Sequence, residues 1–225
     1  MAGTPPAHVQ TMARLLRAGR IGTVTHVSCV DRRARGVEPS ASAEVEYLQL
    51  LAYGADHLAW IRDLLAVDPV RVMARCGGAL RQAGSQGSLT EAFLAMASGV
   101  HVQYHGSLAS DRDRHELWID GERGALRTDG YLVWLRRKGW PRFAPVAASF
   151  RGLADAASSP AARAAARRER LGAFQRDPAA AGDDHDRWSL TIAAAVMRAD
   201  RSGRPVAMGE PVEAAAPTAV DGSAA

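Results

Sequence analysis

Long apolar runs are missing from this chain. None of its 225 residues belong to a stretch of 18 consecutive apolar side chains, so no transmembrane helix is expected. The start, Met1-Ala2-Gly3-Thr4-Pro5-Pro6-Ala7-His8, lacks the charged-then-apolar pattern of a secretory leader. Cysteine is scarce. Cys29 and Cys76 lie far apart and match no metal or redox spacing, which predicts two reduced core thiols in a cytoplasmic protein. Lysine is scarcer still: Lys138 stands alone, and the basic side of the chain is otherwise arginine. The 28 basic residues are spread out and offset by 24 acids, so the charge is not a nucleic-acid footprint. No strand runs into a G-x-G-x-x-G turn. Gly77, Gly78, Gly84 and Gly87 have the wrong spacing to cradle a phosphate and read as a loop.

What is present suffices for one packed domain. Hydrophobic residues make up 47% of the chain, enough for a core at this length. Residues 6–18 read as a short helix, with Val9, Met12, Leu15 and Leu16 at helical spacing and Gly19 as its stop. Residues 22–33 are β-branched and strand-like, and 34–44 carry loop chemistry. From Ser88 to Leu135 the chain alternates between apolar and polar residues. Turns at Ser98-Gly99, around Gly121 and at Asp129-Gly130, with a break at 109–114, separate five strands at 89–97, 100–108, 115–119, 125–128 and 131–136, which predicts consecutive hairpins and an antiparallel sheet. His101, Gln103 and His105 share one face of their strand. His101 and His105 are about 13 Å apart along it, too far to share a metal. Residues 156–176 are rich in alanine and arginine and read as a helix with a solvated arginine face, preferred over a phosphate-binding one. Asp183 to Arg187 open a last helix, Gly203 ends it, and Pro205-Val206 continues as a strand edge. The tail from 213 to 225 is low in complexity and expected to be disordered.

The chain is organised around 53–66. At 3.6 residues per turn, Gly54, Leu58, Ile61 and Leu65 form one apolar stripe, and Tyr53, His57, Trp60 and Leu64 a second. The far side carries Asp56, Ala59 and Asp63. Asp68-Pro69 ends the helix, and Pro69 to Cys76 alternates like a half-buried strand. A phenol and an imidazole one turn apart, Tyr53 and His57, are placed to share a hydrogen-bonded small molecule. The competing reading of His57 is a packed core histidine.

Four blocks of the chain, 5–33, 44–75, 88–136 and 183–207, resemble segments of the Gfo/Idh/MocA oxidoreductases, in that family's order. The helix Gly54-Ala55-Asp56-His57-Leu58 through Asp68-Pro69-Val70-Arg71-Val72 is similar to the family's G-x-H-H-L-D-x-x-R-x-L-L-G-x-x-P-x-x-V. Residues 5–27 resemble the passage from the nucleotide domain into the second domain. The resemblance implies the family's C-terminal domain over 1–212, of α/β (α+β) class: an open, mainly antiparallel β-sheet with helices packed on one face. It implies His57 as the catalytic group and Arg33, Tyr53, Asp56 and His57 as substrate-binding residues. A sugar- or polyol-like substrate, NAD(P) for the complete enzyme and a homo-oligomer meeting through the sheet follow from the same likeness.

The chain departs from the family pattern at the chemistry. Asp56 stands where relatives carry the first histidine, Ala59 where they carry an acid, and Tyr53 where a carboxylate often lies. The family's Rossmann domain and its lysine would precede Met1, and Lys138 is in the wrong part of the chain to replace that lysine. The chain alone is therefore expected to bind no nicotinamide cofactor, the other half being supplied by a separate Rossmann-domain chain or lost through a truncated gene. The alternative expectation is a non-catalytic small-molecule-binding module of the same fold. No metal, nucleic-acid or membrane site is expected.

Overall fold

The computed structural model describes residues 5–34, 47–77, 89–148, 160–177 and 182–208. The expected loops at 34–44 and 77–87 and the tail at 213–225 fall outside the described residues, apart from 34 and 77.

Helix α1 (Ala7–Arg17) buries Val9, Met12 and Leu15, the stripe its spacing predicts. Strand β1 (Val24–Ala34) follows. A π-helical turn at Leu50–Gly54 feeds helix α2 (Ala55–Leu65). Its C-terminal residue Ala66 adopts φ 52°, ψ 36°, a left-handed cap without a glycine. Then come β2 (Pro69–Gly77), β3 (Leu89–Met96), β4 (His101–Ser110), β5 (Arg114–Gly121), β6 (Gly124–Thr128), β7 (Leu132–Arg137) and β8 (Ala144–Ala148). Helices α3 (Pro160–Arg176) and α4 (Asp184–Ser202) and the short β9 (Val206–Ala207) complete the described chain. Helix α4 starts and stops where its sequence says. The Asp183 carboxylate accepts the Asp186 N–H at 2.9 Å, and Gly203 caps the other end at φ 63°. Strand β8 was not legible, because Ala144-Pro145-Val146-Ala147-Ala148 carries little β-branched or alternating signal.

The strands form one sheet in the order β8-β7-β6-β5-β1-β4-β3-β2-β9. Among the described strands β1 against β4 is parallel and the other pairings are antiparallel. The expected run of consecutive hairpins is corrected at one place: β4 and β5 do not pair, because β1 lies between them. The open, mainly antiparallel sheet of the expected fold class is thus present. Alternation decides its two faces. Val27, Cys29, Val72, Leu94, Val102, Tyr104 and Ile119 turn inward under the helices and are all but inaccessible. Each large apolar side chain so buried contributes about 1.5–3 kcal/mol. On the outer face the register sets Met73, Phe93, Gln103, Ser28, Trp118, Arg127 and Trp134 side by side, from β2 across to β7. Met73 and Phe93 are 48% and 46% exposed there.

Two glycines set the distance between sheet and helix layer. A Cβ on Gly106 would collide with the buried side chain of Gln49, and one on Gly54 would lie 3.1 Å from the Tyr104 ring. Gly106 leaves the room that Gln49 needs to reach Tyr104, and Gly54 lets the helix layer approach the Tyr104 ring closely.

The polar side assigned to α2 needs correction. Ala59 is fully buried and Asp56 is partly covered, because α4 and α3 close over that side. The solvated arginine face of α3 is corrected likewise. Ala164, Arg167 and Leu171 form its buried stripe, and the Arg167 guanidinium pairs with Asp56 and Ser189 instead of water. Alanine and arginine composition predicts the helix. It does not say which arginines find a carboxylate on a neighbouring element.

Candidate functional site

The site grows from the period-2 geometry of β1. Counting inward from Val27 places Cys29, Asp31 and Arg33 on the helix-covered face. Asp31 is completely buried, which is costly for a carboxylate without partners. Arg33 supplies the first, Nη2 to Oδ1 at 3.0 Å. His115 on β5 stands directly opposite Asp31 in the register, with Nδ1 3.4 Å from Oδ1. His57 comes down from the first turn of α2, with Nδ1 3.7 Å from Oδ2. The Gln49 amide donates to the Tyr104 hydroxyl at 2.7 Å and approaches Asp31 Oδ2 at 3.5 Å.

These neighbours set the ionisation. Burial alone would raise the Asp31 carboxyl. The charge of His57, the approach of the His115 ring and the Arg33 guanidinium outweigh it and hold the group well below the carboxylate range. His57 goes the other way. Burial pushes it down to about 3, against the pull of Asp31 and with help from His115 and Arg33. At neutral pH His57 is therefore uncharged, and Arg33 is the permanent counter-ion of Asp31. His8 on α1 is also forced down, to about 4, by burial and then by His115, its ring centroid 5.8 Å from that of His115. Burial and Asp31 push the Cys29 thiol up.

The other expected site residues surround this cluster. The Tyr53 ring lies between two guanidinium groups, Arg33 at 4.7 Å and Arg163 at 4.5 Å from its centroid. Its hydroxyl accepts a hydrogen bond from Arg163 at 2.8 Å. Asp56 accepts from Ser189 at 3.1 Å and pairs with Arg167, so it ties α2 to α3 and α4. The structure thus joins Arg33 and Tyr53 by stacking, links Arg33 to His57 through Asp31, and holds Asp56 to α3 and α4.

Residue-by-residue reading missed Asp31, His115, His8 and Arg163. The alternation of β1 was a usable signal for Asp31. His115, far along the chain, carried none, because only strand pairing brings it across from Asp31. Chemically, the cluster combines a neutral imidazole, a fixed ion pair and an arginine-flanked phenol. Such a set offers hydrogen bonds to hydroxyl-rich ligands. The imidazole, with so low a pKa, is a weak proton acceptor at neutral pH.

Comparison with known proteins gives the same fold. The solved aldose-aldose oxidoreductase from Caulobacter crescentus, complexed with glycerol, superposes with TM-score 0.59 and 21% identity, over 89% of this chain and 60% of that one. An oxidoreductase from Agrobacterium radiobacter in complex with NAD+, L-tartaric acid and magnesium gives TM-score 0.59 and 17% identity, over 89% and 61%. A myo-inositol dehydrogenase from Corynebacterium glutamicum gives 0.58 and 13%, over 91% and 62%. The chain therefore spans less than two thirds of the length of these structures. No curated protein matches it. The family model described as the GFO/IDH/MocA C-terminal domain matches residues 9–127, over half of the chain, and the chain accordingly belongs to the GFO/IDH/MocA family through that domain.

Proposed function

We propose that the chain is the substrate-binding and subunit-contact portion of an NAD(P)-dependent sugar or polyol oxidoreductase. The observation that supports this most is the grouping of Arg33, Tyr53 and His57 around the buried Asp31, at the N-terminal end of α2. Neutral imidazole and guanidinium groups hydrogen-bond to hydroxyls without adding net negative charge. The described residues do not fit a nicotinamide dinucleotide. Their one parallel strand pair, β1 with β4, carries no glycine-rich turn into a helix N-terminus. The cofactor of the complete enzyme would be held outside the described residues.

Calorimetric titration with myo-inositol, aldoses and glycerol, with and without NAD+ or NADP+, tests the reading. Binding of at least one polyol is expected, with no binding of either cofactor. His57→Gln should weaken polyol binding by about 1–2 kcal/mol, one lost hydrogen bond, and leave the circular dichroism spectrum unchanged. Loss of thermal stability with unaltered polyol affinity would make His57 a core residue and end its assignment to the site.

A second reading, a non-catalytic binding module of the same fold, is favoured by one observation. His57 is held at about 3, poorly suited to take a proton at neutral pH. Polyol binding that stays indifferent to any added Rossmann-domain protein supports this reading. NAD(P)-dependent oxidation restored by such a protein supports the first.

The subunit-contact part of the proposal rests on the outer sheet face. Met73 and Phe93 stand exposed beside His101 and Gln103, and apolar groups on an uncovered antiparallel face favour a partner. Sedimentation velocity is expected to show a dimer, and Phe93→Glu to dissociate it. A clean monomer at high concentration counts against the contact.

A further inference from the structure

A second chemistry converges on the same layer between sheet and helices. Cys29 on β1, His57 on α2 and His115 on β5 each offer a ligand atom, and these atoms all lie within 4.8 Å of one another. We propose that Cys29, His57 and His115 bind a divalent transition-metal ion of the zinc class. In a tetrahedral zinc site, with Zn–S of about 2.3 Å and Zn–N of about 2.0 Å, ligand atoms lie about 3.3–3.7 Å apart. The three side chains need to close by about 1 Å to reach that spacing, a movement within reach of side-chain torsions.

The second observation is the state of the imidazoles. His57 is only 8% exposed, yet its Nδ1 makes no well-formed hydrogen bond, and neither does His115 Nδ1. Both instead face Asp31, at 3.7 and 3.4 Å. A carboxylate behind metal-bound histidines is the usual outer arrangement: it accepts one ring N–H and leaves the other nitrogen to the metal. Asp31 is placed for that role toward both rings at once.

Binding breaks the Cys29 S–H bond, forms an S–metal bond and releases the proton to solvent. The thiolate and the Asp31 carboxylate offset the dication, and the Arg33 guanidinium beside Asp31 leaves the cluster with a net charge of +1. Three protein ligands leave a fourth position for water or a substrate oxygen, the pattern of catalytic rather than structural zinc. The site shares His57 with the proposed polyol site but does not rest on it, since metal binding is read with no polyol present.

The full chain, stripped with a chelator, is titrated with Zn2+ by calorimetry and with Co2+ by absorption spectroscopy. One equivalent per chain is expected, with intense visible bands of tetrahedral Co2+ and a thiolate-to-cobalt charge-transfer band in the near ultraviolet. Cys29→Ser should abolish the charge-transfer band. His115→Gln and Asp31→Asn should each weaken Zn2+ binding at least about tenfold. If a variant does not fold, the cobalt spectrum of the unaltered chain decides alone. Absence of stoichiometric binding, a pale octahedral spectrum without charge transfer, or full affinity in a folded Cys29→Ser chain overturns the proposal. Polyol binding in the metal-free chain, with or without that outcome, bears only on the proposed function.

Discussion

Arg33→Met is expected to destabilise the metal-free chain by about 3–5 kcal/mol, the cost of leaving a buried carboxylate without its cation. Asp31 has no exposed surface, and its closest charged neighbour is the Arg33 guanidinium at 3.0 Å. The remaining neighbours compensate poorly at neutral pH, since burial keeps His57 unprotonated. Urea unfolding at neutral pH measures the loss. The double variant Arg33→Met with Asp31→Asn should recover most of it, because the orphaned charge is gone. An Arg33→Met chain within about 1 kcal/mol of its parent, far short of the cost of an unpaired buried charge, would show that Asp31 does not depend on this partner.

The second large effect is acid instability. His8 and His57 titrate at about 4 and about 3 in the folded chain, against about 6.5 in an unfolded one. The unfolded chain therefore takes up protons first as the pH falls below about 6.5. The stability these residues allow is fully present above that value and is lost on acidification toward their folded pKa values. Each contributes about 1.4 kcal/mol per pH unit across its window. From about pH 6.5 to 4 the pair accounts for about 6–7 kcal/mol, comparable to the whole stability of many domains. Asp31 works in the same direction at lower pH. Its carboxyl is depressed, so its contribution is present above the unfolded value of about 3.9 and is lost below it. Chemical denaturation at a series of pH values, with chelator present, should show a steep fall below about pH 6 and unfolding between about pH 4 and 5. His8→Leu should move that transition to lower pH. Stability that stays flat from about pH 7 to 4.5 would mean that neither histidine is held neutral.

Much of the fold can be read along the chain because the signals are local. The stripe of Val9, Met12 and Leu15, the Asp183 cap and Gly203 stop of α4, and the alternation of β3 to β7 each lie within one element. Periods of 3.6 and 2 turn such local order into a buried face without knowledge of the partner. The resemblance of four ordered blocks then supplied the family, which the match over residues 9–127 supports independently. His57, Tyr53 and Arg33 could be named as candidate site residues from those blocks, although what each one touches could not.

The contacts were decided by strand pairing and helix docking, which join residues distant in sequence. The register of β1 with β5 sets His115 across from Asp31. The docking of α3 beside α2 brings Arg163 to Tyr53 and Arg167 to Asp56. Cys29 matched no metal spacing because its companions lie on α2 and β5, and proximity through a sheet leaves no fixed interval in the sequence. The sequence by itself determined the elements, their buried faces and the family. Only the tertiary structure decided the ionisation of the site: a pKa depends on which charges lie within a few ångströms and on how much water is excluded, and neither quantity is a property of one segment.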